Sequence, residues 1–217
     1  MVESYIQVPA DSTGKKLRSI EETIGANVVH TEFVQHRQLP TFIALAYDIV
    51  PAANAYMIAL LNRNSAKVVR IWRANMYISS ATAVTGVLLT ARLVRISATA
   101  ALSGGTAVTP VQMDTQDTLP ANIDIQTKPT STITVVGEFK RFLLSGDEAV
   151  VSTLDADAFA AEVFPRDAHT LLEFNIPMTK PLTLRTDGVT FQGFAIQNLV
   201  GAVGYVGLQI LFTVSDE

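Results

Sequence analysis

Three histidines, a group of aspartates and one glycine pair are the places where this chain could do chemistry. His30, His36 and His169 stand in no His-x-His or His-Glu-x-x-His frame, the spacings that turn two imidazoles toward one metal. His30 falls on a strand-like run and reads as a surface or interface residue. Asp114, Asp117 and Asp124 do not follow the alternate spacing and closing glutamate of a calcium hand. Asp147, Glu148, Asp155 and Asp157 also lack a recognised frame and read as solvated loop carboxylates and helix-capping groups. The adjacent glycines of "LSGGTAVTP" (Gly104-Gly105) are followed by no Gly-Lys-Ser/Thr, and no helix opens there to hold a phosphate, so they read as a flexible turn. There is no Gly-x-Ser-x-Gly elbow, and Glu138, Glu148, Glu162 and Glu173 give no frame for a glycosidase pair. No catalytic, metal-binding or cofactor-binding residue is assigned, no cofactor is implied, and the expectation is a protein that is not an enzyme.

"RIWRANMY" interleaves arginines with Trp72 and Tyr77. Such a mixture can stack nucleic-acid bases or sugars. It can equally anchor a sandwich edge or a subunit interface, where aromatic residues and arginine are enriched. The charge balance favours the interface: 20 acidic residues against 16 basic, with no run of like charge. A direct nucleic-acid binder carries a basic face, and none is visible. The chain is 48% hydrophobic and 17% charged, a composition suited to apolar surface lying against other subunits. With no cysteine, disulfides, thiolate metal sites and thiol catalysis are all excluded. No stretch approaches the roughly 18–20 apolar residues that span a bilayer, so no membrane partner is expected. The opening "MVESYIQVPADSTGKK" has no basic segment followed by an apolar run. The expectation is synthesis in a cytoplasm, with export only as part of something larger.

The elements that must position these residues are mostly strands. "LRSIEETIGANVVHTEFVQ" reads as two extended runs flanking Ile24-Gly25-Ala26-Asn27, a hairpin, although Glu21 and Glu22 leave a helix open for Leu17–Ile24. "PTFIALAYDIV" is an apolar run closed by Pro51. "AYMIALLN" and "KVVRIWRANMYIS", joined through Arg63-Asn64-Ser65, read as an antiparallel hairpin. "AVTGVLLTARLVRIS" and "STITVVGEFKRFLLS" continue the strand pattern. The one candidate helix is Ser152–Phe164, "STLDADAFAAEVF", with early aspartates and Pro165 as its stop. Beyond it, Thr170–Ile176, Pro181–Leu184, Val189–Ile196 and Tyr205–Val214 read as strands, with a turn at Thr186-Asp187-Gly188. No 20–50-residue period repeats. A size of 217 residues lets a single core bury roughly 70% of the unfolded surface. The pattern predicts an all-β, antiparallel, jelly-roll-like β-sandwich with an N-terminal arm or hairpin at 1–26 and a sandwich domain at 27–217. A long extended loop at 97–129 belongs to that domain.

Three segments carry a family resemblance. "GKKLRSIEETIGANVVHTEFV", "NAYMIALLNRNSAKVVRIWRANMYISSATAVTGVLLTARLVRISA" and "SGGTAVTPVQMDTQDTLPANI" resemble tailed-bacteriophage virion proteins. "PLTLRTDGVTFQGFAIQN" and "GLQILFTVSDE" are similar to the end of the same kind of protein. Some members are trimeric cement (decoration) proteins with a jelly-roll core on the capsid exterior. The resemblance implies a non-enzymatic structural protein, a homotrimer whose partner is the major capsid protein and whose place is the outside of the virion head. It contains no site motif, so no functional residue is carried across. Two alternatives remain: a tail, baseplate or fibre-associated component that binds a host surface, and a carbohydrate-binding jelly roll.

The resemblance also gives Ser97–Pro129 a role. Gly104-Gly105, Pro110, Pro120 and Pro129 oppose regular structure, while Val108, Val111, Met113 and Leu119 offer side chains for docking. An arm that orders on a neighbour is expected. With Trp72 and Tyr77, those four are the candidate partner contacts.

Overall fold

The computed structural model describes residues 2–7, 16–24, 27–32, 39–78, 87–146, 169–174, 180–201 and 205–216. Two compact units divide between Gln38 and Leu39. In the first unit, β1 (Val2–Gln7), β2 (Lys16–Ile24) and β3 (Asn27–Glu32) form one antiparallel sheet in that order. Ile24 pairs with Asn27, so β2 and β3 are the hairpin expected there, and the helical alternative for Leu17–Ile24 is not taken.

The second unit, Leu39–Glu217, is an antiparallel β-sandwich. Its main strands are β4 (Thr41–Ile49), β5 (Tyr56–Asn62), β6 (Lys67–Ile78), β7 (Val87–Ala98), β10 (Ile123–Thr127), β11 (Thr134–Gly146), β12 (His169–Glu173), β14 (Phe191–Asn198) and β15 (Val206–Asp216). Three short strands complete it: β8 (Thr106–Ala107), β9 (Val111–Gln112) and β13 (Leu182–Leu184). One sheet runs β11-β7-β14-β5-β10-β8; the other runs β12-β6-β15-β4-β9, with β13 also paired to β6. There is no helix among the described residues, and the candidate helix Ser152–Phe164 lies outside them.

Period-two patterning sets the core. Ile58 and Leu60 of β5, Leu89, Ala91 and Leu93 of β7, and Phe194 and Ile196 of β14 face Phe42 of β4, Ile71 of β6 and Ile210 and Phe212 of β15. Phe42 and Phe212 stack with ring centroids 5.5 Å apart. The opposite phase of the first sheet is buried too: Ala59, Leu61, Val94, Ile96 and Ala195 lie in a second cluster beneath Leu102. That is why β5 is apolar on both phases.

The pairing of "AYMIALLN" with "KVVRIWRANMYIS" is corrected. β5 pairs with β14 and β10, whereas β6 pairs with β15, β12 and β13, so the turn at Arg63–Ser65 carries the chain from one sheet to the other. A strand buried on both faces needs neighbours on both edges and a cover on each side, and sequence adjacency does not decide which strands supply them. Asn62 holds the crossing. Fully buried, it donates from Nδ2 to the Lys67 and Leu184 carbonyls (2.8 and 3.1 Å) and accepts the Asn64 N–H through Oδ1 (3.0 Å).

Candidate functional site

The long connection is an edge of its own sandwich, which corrects the expected irregular arm. β8 ends one sheet and β9 the other, on the same side of the molecule. Inside β8, β10 pairs with β5 from Ile123↔Asn62 to Thr127↔Ile58. Left-handed residues bracket β10: Asn122 at φ 65° and Lys128 at φ 49°. Asparagine tolerates that conformation because its short polar side chain bonds locally. Gly105 sits where a Cβ would stand 2.2 Å from the Thr127 carbonyl oxygen, so a side chain is excluded by backbone that cannot move aside. Asp124 ties the segment down: Oδ2 accepts from Arg63 Nε at 2.7 Å and from the Leu102 N–H at 3.1 Å, and Oδ1 accepts from Arg63 Nη2 at 2.9 Å. The regular structure forms despite the prolines because β5 templates it.

The four docking candidates on this stretch therefore separate. Val108 and Leu119 pack against the sandwich's own core. Val111 and Met113 are 58% and 63% exposed, at the β9 edge. Asp114 follows them, exposed, with Oδ1 accepting the Gln116 N–H.

Trp72 and Tyr77 are half-buried on β6, on the outer face of the second sheet. The Trp72 indole N–H donates to Thr213 Oγ1 at 2.9 Å, and Asn75 Nδ2 donates to Gln209 Oε1 at 2.9 Å between them. Tyr77 lies over Gly207, where any Cβ would fall 2.1 Å from its ring. Tyr47 meets it edge-on at 6.0 Å. Burial, then the neighbouring Tyr47, pushes the Tyr77 hydroxyl up to about 12. The structure thus brings Trp72 and Tyr77 onto one face of the sheet that β9 ends, with β15 and β4 lying between β6 and β9.

Sequence reasoning missed the opposite side of the sandwich. Edge strand β11 exposes Val136, Phe139 and Leu143, and its pairing with β7 is interrupted by bulges at Val135/Gly137 and Glu138/Lys140. Glu138 accepts from Arg92 Nη1 at 3.1 Å and from both Nε and Nη2 of Arg141 at 2.9 Å. These bonds hold its carboxyl down at about 2, Arg141 acting more strongly than Arg92. Nearby, Arg95, Lys180, Pro181, Thr183 and Arg185 line a cleft of about 400 Å³. Arg95 Nη1 donates to the Thr183 carbonyl (3.2 Å) and to Gln192 Oε1 (3.1 Å), and its guanidinium stands 5.8 Å from the Phe139 ring centroid. Gln192 Oε1 also accepts the Arg185 N–H at 3.2 Å, fixing the cleft's floor. The strand alternation placed Arg92 and Arg95 between apolar neighbours, but nothing in the sequence joined Arg95 to Lys180.

Of the histidines, His30 lies on β3, His169 is exposed at the start of β12, and His36 is outside the described residues. Among the described residues no three His, Asp or Glu side chains are grouped to hold a metal.

These features define an all-β antiparallel sandwich. In comparisons with known proteins, no family model, curated protein or solved structure matches the chain.

Proposed function

We propose that this chain is a non-enzymatic structural protein of a tailed-phage virion: a cement (decoration) protein on the outside of the head. It is made in the host cytoplasm, binds the major capsid protein and works as a homotrimer. The observation that carries this reading is the pair of exposed apolar strips on opposite sides of one sandwich, Val111 and Met113 on one and Val136, Phe139 and Leu143 on the other. A subunit with apolar surface at both ends can bridge two neighbours, as a cement must. The segments that resemble phage virion proteins support the same reading.

The strand order favours a jelly-roll description. Leaving aside the edge strands of the long connection, β4, β15, β6 and β12 are successive neighbours in one sheet, and β5, β14, β7 and β11 in the other. The first strand lies beside the last, and the chain alternates between sheets from β4 to β7, the connectivity of two Greek keys.

As a cement, the protein buries surface across joints between capsid subunits and opposes the outward load of packaged DNA. The test is a cryo-EM map of the source particle, with co-sedimentation of the purified protein on emptied heads. Density for the sandwich at hundreds of copies on the head exterior is expected. Its absence from the head, or a few copies at the tail, overturns the cement role.

A further inference from the structure

The two sheets treat their outward phases differently. In the first sheet Ala59, Leu61, Val94 and Ile96 form a buried cluster with Leu102. The outward phase of the second sheet enters no buried cluster among the described residues. It carries Ile43, Leu45 and Tyr47 on β4, Leu211 on β15, and Trp72 and Tyr77 on β6. Val111 on β9 stands level with Ile43 and extends the same face. The remaining outward positions from Thr41 to Tyr47 and from Gly207 to Ser215 are uncharged: Thr41, Gly207, Gln209, Thr213 and Ser215. A face short of charge and rich in aromatic side chains has the make-up of an interface core. Strands spaced about 4.8 Å apart, over a height of about 26 Å from Arg70 to Tyr77, project roughly 400 Å² a side. With the relief of the side chains added, two such faces reach the roughly 1,000 Å² that a specific interface needs.

Charge lies at the two margins of this face. On the β6 margin Arg70 donates to the Ser215 hydroxyl, and Arg73 Nε is buried with no hydrogen-bond partner. Among the described residues neither arginine is in an ion pair, although Glu173 of β12 stands opposite Arg73. On the β9 margin Asp114 is exposed, directly after Met113. The registers set these groups at matching heights. Thr41 pairs with Thr213, Thr213 pairs with Arg70, and the Met113 N–H donates to the Thr41 carbonyl, so Arg70 and Met113 are level. Ile43 is level in the same way with Leu211, Arg73 and Val111.

We propose that the outward face of β9, β4, β15 and β6 packs on the same face of a second copy of this chain, about a twofold axis parallel to the strands. Such an axis keeps every height and exchanges the margins, so β6 of one copy lies over β9 of the other and β15 lies over β4. Arg70 then meets the Met113–Asp114 corner of the other copy, Trp72 and Arg73 meet its Val111, and Leu211 meets its Ile43. Face-packed sheets keep their strands within about 30° of each other, so the heights survive. β12, with Glu173, falls outside the overlap. A twofold axis across the strands would set β6 on β6 and bring the arginines together, and like charges across an interface are costly. The contact is isologous, each half satisfying the other. It goes beyond the proposed function by naming a second copy as the neighbour of the Val111–Met113 strip, and it does not depend on the head.

The test is sedimentation velocity of the purified full-length chain over a concentration series, with circular dichroism as folding control. Wild type should form an even-numbered assembly: two subunits, or six where the proposed trimer also holds. A monomer or an odd-numbered assembly overturns the contact. Val111→Glu with Met113→Glu, both at exposed positions, should halve the assembly, and an unchanged size overturns it too. Asp114→Arg and Arg70→Glu should each raise the dissociation constant about tenfold, and the two together should restore most of the loss. A combination that fails to recover overturns the contact. Where Arg70→Glu does not fold, Asp114→Arg and the Val111 and Met113 pair decide. Head binding is scored separately by co-sedimentation, so the virion role and this contact can fail independently.

Discussion

The two open sides of the sandwich solve the same problem differently. Each sheet must end somewhere, and an end strand leaves backbone donors and acceptors without partners. On one side the chain supplies its own closure: β8, β9 and β10 add to the sheets, Val108 and Leu119 fill the gap, and Arg63 with Asp124 locks the crossing. On the other side β11 ends its sheet as a long bulged strand, with charged groups around a cleft. The first side is stabilising structure with a small exposed tip. The second exposes Val136, Phe139 and Leu143 beside that cleft. Glycine, proline and aspartate wrote the well-anchored side, and one long bulged strand wrote the open one.

The largest expected difference comes from deletion. Removing Gly104–Asn122 takes away β8, β9 and the packing of Val108 and Leu119. Cooperative thermal unfolding of the sandwich should be lost or its midpoint sharply lowered. Changing Val136, Phe139 and Leu143 together to serine should leave the midpoint nearly unchanged, because those side chains are already exposed. Equal effects in calorimetry would erase the contrast.

A single residue sharpens it. Leu102 is 4% exposed and covers Ala59, Leu61 and Ile96 on the outer phase of the first sheet. Leu102→Ala should destabilise by about 2–5 kcal/mol, the range for emptying a buried leucine site, read by denaturant unfolding. A loss below about 1 kcal/mol would mean the cover contributes little.

Strand existence was legible in the sequence where alternation or β-branched residues ran on, as in β7, β14 and β15, and so was the Thr186-Asp187-Gly188 turn. Gly188 takes φ 86° there, and Asp187 accepts the Val189 and Thr190 N–H groups. Pairing was not legible. A polar turn such as Arg63–Ser65 reads the same whether it closes a hairpin or crosses between sheets, because the choice depends on which faces distant strands bury. β10 was missed because Ile123 and Ile125 alternate for too few residues, between Pro120 and Pro129, to outweigh turn-forming neighbours. Its strand conformation comes from β5. Val111 and Met113 were legible as apolar residues in a polar stretch. The cleft was not, since Arg95 and Lys180 meet only through folding.

The ion pair on the closed side comes next in size. Asp124→Asn keeps the shape but removes the charge that accepts from Arg63 and Leu102. Hydrogen bonds to charged groups contribute about 1.5–3 kcal/mol, and both partners are mostly buried. A loss in that range is expected by urea unfolding at neutral pH, together with faster amide exchange at Leu102. An unchanged stability would show that Arg63 and Asp124 merely coexist.

The smallest effect belongs to the open side and is set by pH. Glu138 keeps its charge in the folded protein down to about 2 because Arg141 and Arg92 bond to it, whereas its ordinary value is 4.5. A carboxyl depressed in this way lends its stability in full above its unfolded value, and loses it as pH falls from about 4.5 toward 2. The pair is solvent-exposed, so screening keeps the effect modest and salt should reduce it further. The change should be local: exchange of the β11 amides should quicken across that window, while the β10 amides, held by the closed side, respond less. Glu138→Gln should flatten the pH response of β11 without altering the cleft residues. If β10 and β11 loosen together at the same pH, acid acts on the whole sandwich and the two sides are not energetically distinct.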